Sequence, residues 1–254
     1  LIIVTGTSMD SGKTTVATEI IKSLTRMGMK LAGAKLTGVG ALRDLYKMQD
    51  YGVYNAVSFV DAGITSTANL DKETVVNMTK GALDYLSADN PDAIIIEFGD
   101  GLMGKYGVEA VLGIPEIQEN VRLHIGCAGD PVGAIGIAKF CQTLGIPIDV
   151  ISGPVTDNTV GKSIIREELD VIVYNAFNPT NEWVILDRNL PGNKVSYGGD
   201  IYFIKCSDWS LYKDSGSNWK PPNYKWVVGY INSLPNDKQK EMYSACLEAL
   251  KACE

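Results

Sequence analysis

The first fifteen residues constrain this chain more than any other stretch. Leu1-Ile2-Ile3-Val4 is a short apolar run, and Thr5-Gly6-Thr7-Ser8-Met9-Asp10-Ser11-Gly12-Lys13-Thr14-Thr15 follows it. From Val16 onward, apolar residues recur at helical spacing. A buried strand that enters a glycine-flanked loop, and then a helix opening at Lys-Thr, is the frame of a phosphate-binding loop. In such a frame the loop and helix N-terminal amides converge on anionic oxygens. Thr7, Ser8, Ser11, Gly12 and Thr15 are therefore expected around the phosphates, with Lys13 reaching the outer ones and the Thr14 hydroxyl on Mg²⁺. The strict pattern has four residues between its first glycine and the Gly-Lys pair. Here five separate Gly6 from Gly12, and Thr7 stands where that first glycine would be.

Charge and cysteine usage narrow the class. The 254-residue chain carries a formal net charge of −7 with a pI near 4.9, which does not suggest a nucleic-acid surface. An acidic protein can still hold a nucleotide, because loop amides, one lysine and a metal ion do so locally. Five cysteines form an odd set with no CxxC pair, so neither a disulfide scaffold nor a zinc site is expected, and a cytoplasmic location is. The single histidine, His124, lies inside an apolar run and reads as a core residue. No apolar run approaches the roughly 18 residues of a membrane span, and no signal peptide is visible. Because the first residue is Leu1 and not Met, residues upstream are expected to have been removed.

Strand and helix patterns alternate along the chain. Val16, Ile20, Ile21 and Leu24 predict a helix through Met27 that stops at Gly28, and residues 30–35 a second strand with Lys35 at its end. Ligands gather at the carboxyl ends of parallel strands, which puts Lys35 on the edge of the phosphate loop. The Gly- and Ser-rich stretch 38–70 is expected to form a substrate lid holding a short helix (41–49) and a strand (56–60). In it Asp44, Asp50 and Asp61 are candidate carboxylates near the metal, and Ser66-Thr67 a candidate anion contact. A helix over 71–86, capped by Asp71, leads to Ala93-Ile94-Ile95-Ile96-Glu97, an apolar strand that delivers a carboxylate to its end. Glu97 is the first choice of metal ligand and Asp100 the second. Residues 102–119 read as irregular, with Lys105, Tyr106 and Glu109 within reach of the site. Strands at 121–127, 146–151 and 170–174 and helices at 135–144 and 160–168 complete the pattern, with Asp130 read as a helix cap. The expected fold is α/β: a doubly wound, mostly parallel sheet of P-loop NTPase type over residues 1–179. A small aromatic-rich α+β appendage over 180–254 is expected to hold strands near 183–186, 200–204 and 226–230 and a closing helix from about 237 to 253.

From Val4 to Lys35 the chain resembles the dethiobiotin synthetase family, which has a V-T-G-T-x-x-x-x-G-K-T loop and a second lysine ending strand two. The resemblance also takes in the strand-Glu-Gly-x-Gly element around Glu97, shared with related amidotransferase-type synthetases of the cobyric and cobyrinic acid kind. It implies that Asp10 is the acidic loop residue, that Lys13 and Thr14 serve phosphate and metal, and that Lys35 serves the substrate or the carbamate-phosphate. The family's Lys-Pro pair is Lys35-Leu36 here and its first loop Asp is Ser8. The extra lysine that partitioning and metal-insertion ATPases of the SIMIBI class place at that point is absent, which argues against that branch. The family's base-holding loop falls at Pro154, Thr156 and Asn158, and Asn175 is a further base contact candidate.

Two functions follow from these readings. The first is an ATP-dependent ligase or synthetase that uses Mg²⁺, Lys13, Lys35 and Glu97 to activate a carboxylate or carbamate. Its ligands would be a nucleotide and a small acid acceptor, with neither nucleic acid nor membrane involved and a homodimer left open. The alternative is a GTP-binding adaptor or regulatory NTPase acting on a protein partner, because Ser11-Gly12-Lys13-Thr14-Thr15 and Lys35 also look like the adaptor of molybdopterin-guanine dinucleotide biosynthesis. On that reading the aromatic C-terminal part would be the docking surface.

Overall fold

A computed structural model describes residues 1–26 and 29–176, together with the backbone of 194–197, 200–205 and 210–214. The chain divides into two compact units, Leu1–Thr180 and Asn181–Glu254. In the first, seven strands form one parallel sheet: β1 (Ile2–Gly6), β2 (Leu31–Thr37), β3 (Asn55–Ser58), β4 (Ala93–Phe98), β5 (Leu123–Cys127), β6 (Val150–Ser152) and β7 (Ile172–Val173). Their spatial order is β3-β2-β4-β1-β5-β6-β7. The intervening helices are α1 (Lys13–Arg26), α2 (Arg43–Tyr51), α3 (Lys72–Ser87), α4 (Val108–Leu112), α5 (Pro115–Asn120), α6 (Pro131–Thr143) and α7 (Thr159–Glu168). This is the doubly wound α/β fold of P-loop NTPase type.

The alternation of side chains along each strand makes the sheet two-faced. Ile3, Ala32, Ala34, Ile94 and Ile96 belong to one core cluster with Val75 of α3, Val111 of α4, Ile117 of α5, Ile137 of α6 and Ile165 of α7. Ile2, Val4 and Ile95 are equally buried yet lie outside that cluster, as do Val16, Ile20, Ile21 and Leu24 of α1. Those four side chains are fully buried, and each such burial is worth roughly 1.5–3 kcal/mol. The helical spacing that predicts α1 is thus the spacing that seals one face of the sheet.

From β1 the chain builds out on one side through β2, β3 and β4, then crosses to the other side at β5. The change of direction lies at the carboxyl end of β1, where open parallel sheets bind ligands. Because β4 inserts between β1 and β2, Glu97 pairs in register with Val4 on one side and with Lys35 on the other.

Several boundaries differ from the sequence expectation. Residues 102–119 are not irregular but contain α4 and α5, helices of five and six residues that are too short to show periodicity. Helix α6 begins at Pro131, four residues before the expected start, because Asp130 caps it by accepting the Gly133 N–H at 2.9 Å. Strand β6 is confined to Val150–Ser152, shorter than the expected 146–151. In the C-terminal unit, β8 (Lys194–Tyr197), β9 (Asp200–Lys205) and β10 (Ser210–Asp214) form an antiparallel three-stranded sheet with β9 central. The strands expected near 183–186 and 226–230, the closing helix, Met27 and Gly28 lie outside the described residues. Among the described residues, no helix is long and apolar enough to cross a membrane.

Candidate functional site

The phosphate loop turns because two of its residues hold positive φ, Asp10 at 57° and Gly12 at 95°. Its glycines answer to close approach. A Cβ on Gly6 would lie 2.3 Å from Ser11 Oγ and 2.9 Å from the Lys13 side chain. A Cβ on Gly101, in the loop after β4, would lie 2.3 Å from the Thr7 carbonyl oxygen. The loop is also tied from both sides, by Thr7 N–H on the Cys127 carbonyl and by Leu102 N–H on the Gly6 carbonyl, each at 2.9 Å. Helix α1 starts at Lys13, its first backbone bond running from Val16 N–H to the Gly12 carbonyl at 3.0 Å.

Side chains from three separate parts of the sequence meet beside this loop: Lys13 and Thr14, Lys35 and Asp44, and Glu97. Lys13, 6% exposed, donates from Nζ to the Ser8 carbonyl at 2.7 Å and to Ser11 Oγ at 3.5 Å. Burial lowers its pKa, against the opposing pull of Cys127, Glu97 and Asp100. Thr14 Oγ1 donates to Glu97 Oε1 at 2.6 Å, across 83 residues of sequence. Glu97 is 2% exposed, and its Oε2 is buried with no hydrogen-bond partner among the described residues. Burial raises the Glu97 pKa, and the Thr14 hydrogen bond only partly offsets that. A buried carboxylate oxygen with no donor is costly unless a cation or donor satisfies it. Two residues before the end of β2, which runs on past the expected 30–35 to Thr37, Lys35 Nζ is paired with Asp44 Oδ2 of α2.

These groups line one cleft of about 420 Å³. Of the expected phosphate and metal residues, Asp10, Gly12, Lys13, Thr14 and Thr15 border it, as do Lys35, Glu97 and Asp100. Thr7, Ser8 and Ser11 shape the loop without lining the cleft. Of the three candidate carboxylates in 38–70, Asp44 reaches it. Asp50 is exposed on α2, and Asp61 accepts the Ser58 N–H at 2.7 Å in the turn after β3. Tyr106 borders the cleft; Lys105 and Glu109 border a separate hollow with Lys72 and Met103. Thr67 does not offer its hydroxyl to an anion. It is fully buried, accepting the Gly38 N–H at 2.9 Å and donating to the Tyr106 carbonyl at 2.8 Å, which clamps the cleft wall together.

The cleft also receives Arg43 and Lys47, which the motif and loop patterns do not single out. Leu45 and Met48 bury one side of α2, and the i, i+4 spacing of Arg43 and Lys47 places both together on another. That amphipathic signal is present in the sequence, in the first helix after the strand that carries Lys35.

The expected base-contact residues form a different cluster, and none lines the cleft. Asn175 Nδ2 donates to the Thr156 carbonyl at 2.9 Å and to Asp157 Oδ1 at 3.3 Å. Thr156 Oγ1 donates to the Gly153 carbonyl at 2.7 Å; Pro154 opens a 3₁₀ turn; Asn158 caps α7 by accepting the Gly161 N–H at 2.8 Å. This turn abuts the back of the phosphate loop, since a Cβ on Gly153 would lie 2.4 Å from the Ser11 carbonyl oxygen. His124 is a core residue. It is fully buried on β5, with Nε2 2.9 Å from Thr5 Oγ1 and Nδ1 3.0 Å from the Ile146 carbonyl, which fixes Nδ1 as the donor. Cys127, at the end of the same strand, has its thiol pushed up to about 12 by burial and is no nucleophile.

No protein-family model matches the chain, and no curated protein matches it by sequence. It is similar to several solved structures. The signal recognition particle receptor FtsY from Elizabethkingia anophelis in complex with GDP superimposes with a TM-score of 0.47 at 13% identity, over 68% of this chain and 56% of that one. For the cell division protein FtsY of Thermotoga maritima the values are 0.45, 16%, 68% and 59%. For the signal recognition particle 54 kDa protein of Aeropyrum pernix K1 in complex with GDP they are 0.48, 17%, 68% and 41%. The matched region thus spans little over half of the two FtsY chains, and the likeness is one of fold.

Proposed function

We propose that this chain binds and hydrolyses a nucleoside triphosphate with Mg²⁺ in the cleft between the phosphate loop, Lys35 and Glu97, and that its nucleotide state regulates a partner. The observation that carries this reading is the Thr14–Glu97 contact with its second carboxylate oxygen left unsatisfied, set against the N-terminus of α1. Thr14 Oγ1, Glu97 and Asp100 are the residues that would hold the metal ion. A bound Mg²⁺ supplies charge neutralisation on the outer phosphates. The chain's own part is positioning and electrostatics: loop amides and Lys13 would hold the phosphates, and α2 and the loop after β4 form the cleft walls. Among the described residues no Ser–His or Cys–His pair lines the cleft, because His124 is bound within the sheet.

The regulatory reading is preferred to the ligase reading because the cleft, about 420 Å³, is of the scale of one ligand, within the roughly 300–1,000 Å³ usual for such sites. Phosphate release from ATP and from GTP, measured with Mg²⁺ and with EDTA, tests the proposal. Slow Mg²⁺-dependent release that Lys13→Ala abolishes supports it. Release that depends on an added carboxylic or diamino acid would instead establish the synthetase reading, and no release with either nucleotide would refute both.

A further inference from the structure

Asp44 is the unexplained member of this site. It comes from α2, outside the phosphate loop, and its carboxylate sits on a lysine that is 6% exposed. Among the described residues, eight formally charged side chains line the cleft. Lys13, Lys35, Arg43 and Lys47 are balanced by Asp10, Asp44, Glu97 and Asp100. A polyphosphate entering such a site meets no net positive charge from these side chains, and its nearest repulsive neighbour at Lys35 is Asp44.

The strand order says which part of a ligand meets that repulsion. Lys13 stands at the carboxyl end of β1, Glu97 on the adjacent β4 and Lys35 on β2 beyond it, in register with Glu97. Neighbouring strands lie about 4.8 Å apart, so Lys35 stands about 10 Å from the β1 axis, across Glu97 from the loop. Phosphates cradled by the loop amides and Lys13 stay short of it. A terminal phosphoryl, or a separate anion placed beyond a diphosphate, does not.

Resting on the nucleotide-binding reading, we infer that Asp44 is a specificity-determining residue that competes with the ligand's outermost anionic group for Lys35. Two anions sharing one buried ammonium repel each other, so the outer group binds to the extent that it takes Lys35 from Asp44. Asp44 thereby lowers affinity for a triphosphate while leaving a diphosphate unaffected.

The test is a double-mutant cycle read by calorimetry with the β,γ-imido triphosphates and the diphosphates of adenosine and guanosine, each with and without Mg²⁺. Asp44→Asn keeps an oxygen for Lys35, and thermal melting checks that each variant is folded. The expected result is a roughly tenfold tighter Kd for the triphosphate analogue in Asp44→Asn, no change for the diphosphate, and no Asp44 effect in the Lys35→Gln background. A gain seen only with diphosphate plus orthophosphate identifies a separate anion as the competitor and also supports the inference. Weaker Mg²⁺-dependent binding in Asp44→Asn would make Asp44 a metal contact and overturn it. An equal gain with and without Lys35 would reduce the effect to general charge and overturn it too. Nucleotide binding by the wild type with no Asp44 effect refutes the competition alone, whereas no binding by any variant refutes the nucleotide site and the competition together.

Discussion

Replacing Glu97 by glutamine should stabilise the protein while disabling it. Glu97 is 2% exposed, with one oxygen bonded to Thr14 at 2.6 Å and the other unsatisfied. An unsatisfied buried polar group costs about 1–3 kcal/mol, and more when it is charged. The substituted amide would keep the Thr14 bond through its carbonyl and the charge would be gone, but its NH₂ would need an acceptor, so about 1 kcal/mol of net gain is expected. For a chain of this length that is a rise in Tm of roughly 2–4 °C in EDTA near neutral pH. The sign follows from proton linkage. Burial raises the Glu97 pKa above its ordinary 4.5, so the folded state binds more protons than the unfolded one, and wild-type stability falls as pH rises through that window. The gap between variant and wild type should therefore close as pH is lowered toward 4.5. Adding Mg²⁺ and nucleotide should reverse the order, since only the wild type gains the linkage stabilisation. A Tm lowered by several degrees at every pH, or undiminished Mg²⁺-dependent nucleotide binding in Glu97→Gln, would refute the assignment of this carboxylate to the metal.

Thr14→Val removes the hydroxyl that donates to Glu97 and should cost about 1–3 kcal/mol in chemical denaturation along with nucleotide affinity. Gly101→Ala drives a Cβ to within 2.3 Å of the Thr7 carbonyl oxygen; about 1–3 kcal/mol of strain and a weakened nucleotide Kd are expected, read by melting and titration. His124→Leu takes the donor from the Ile146 carbonyl and leaves Thr5 Oγ1 with its long 3.4 Å bond to the Ile125 carbonyl, so stability should fall by about 1–3 kcal/mol while nucleotide binding is unchanged. A binding defect in folded His124→Leu would return this residue to the set of functional groups.

Much of the site was legible because the chemistry is local. The β1–loop–α1 frame, Lys35 at a strand end and Glu97 closing an apolar strand are each visible within a few residues of sequence. Their convergence was not. It depends on β4 inserting between β1 and β2, a pairing of strands remote in sequence that no local pattern specifies. For the same reason the 83-residue reach from Thr14 to Glu97, and the use of Thr67 as a clamp between loops, became visible only in three dimensions. Arg43 and Lys47 differ: no nucleotide motif marks them, and only their i, i+4 spacing on the polar side of an amphipathic helix signals them in the sequence. Helices α4 and α5 escaped because five or six residues cannot display a 3.6-residue period, although Pro115 at the start of α5 was a usable signal.

Calorimetric titration of ATP and of GTP, each with Mg²⁺, into the wild type and Lys13→Ala tests the nucleotide site most directly. Micromolar binding of one nucleotide by the wild type, lost in a folded Lys13→Ala variant, is the expected result and names the base. Binding of neither nucleotide, or binding that survives the loss of Lys13, would contradict the assignment of this cleft to phosphate.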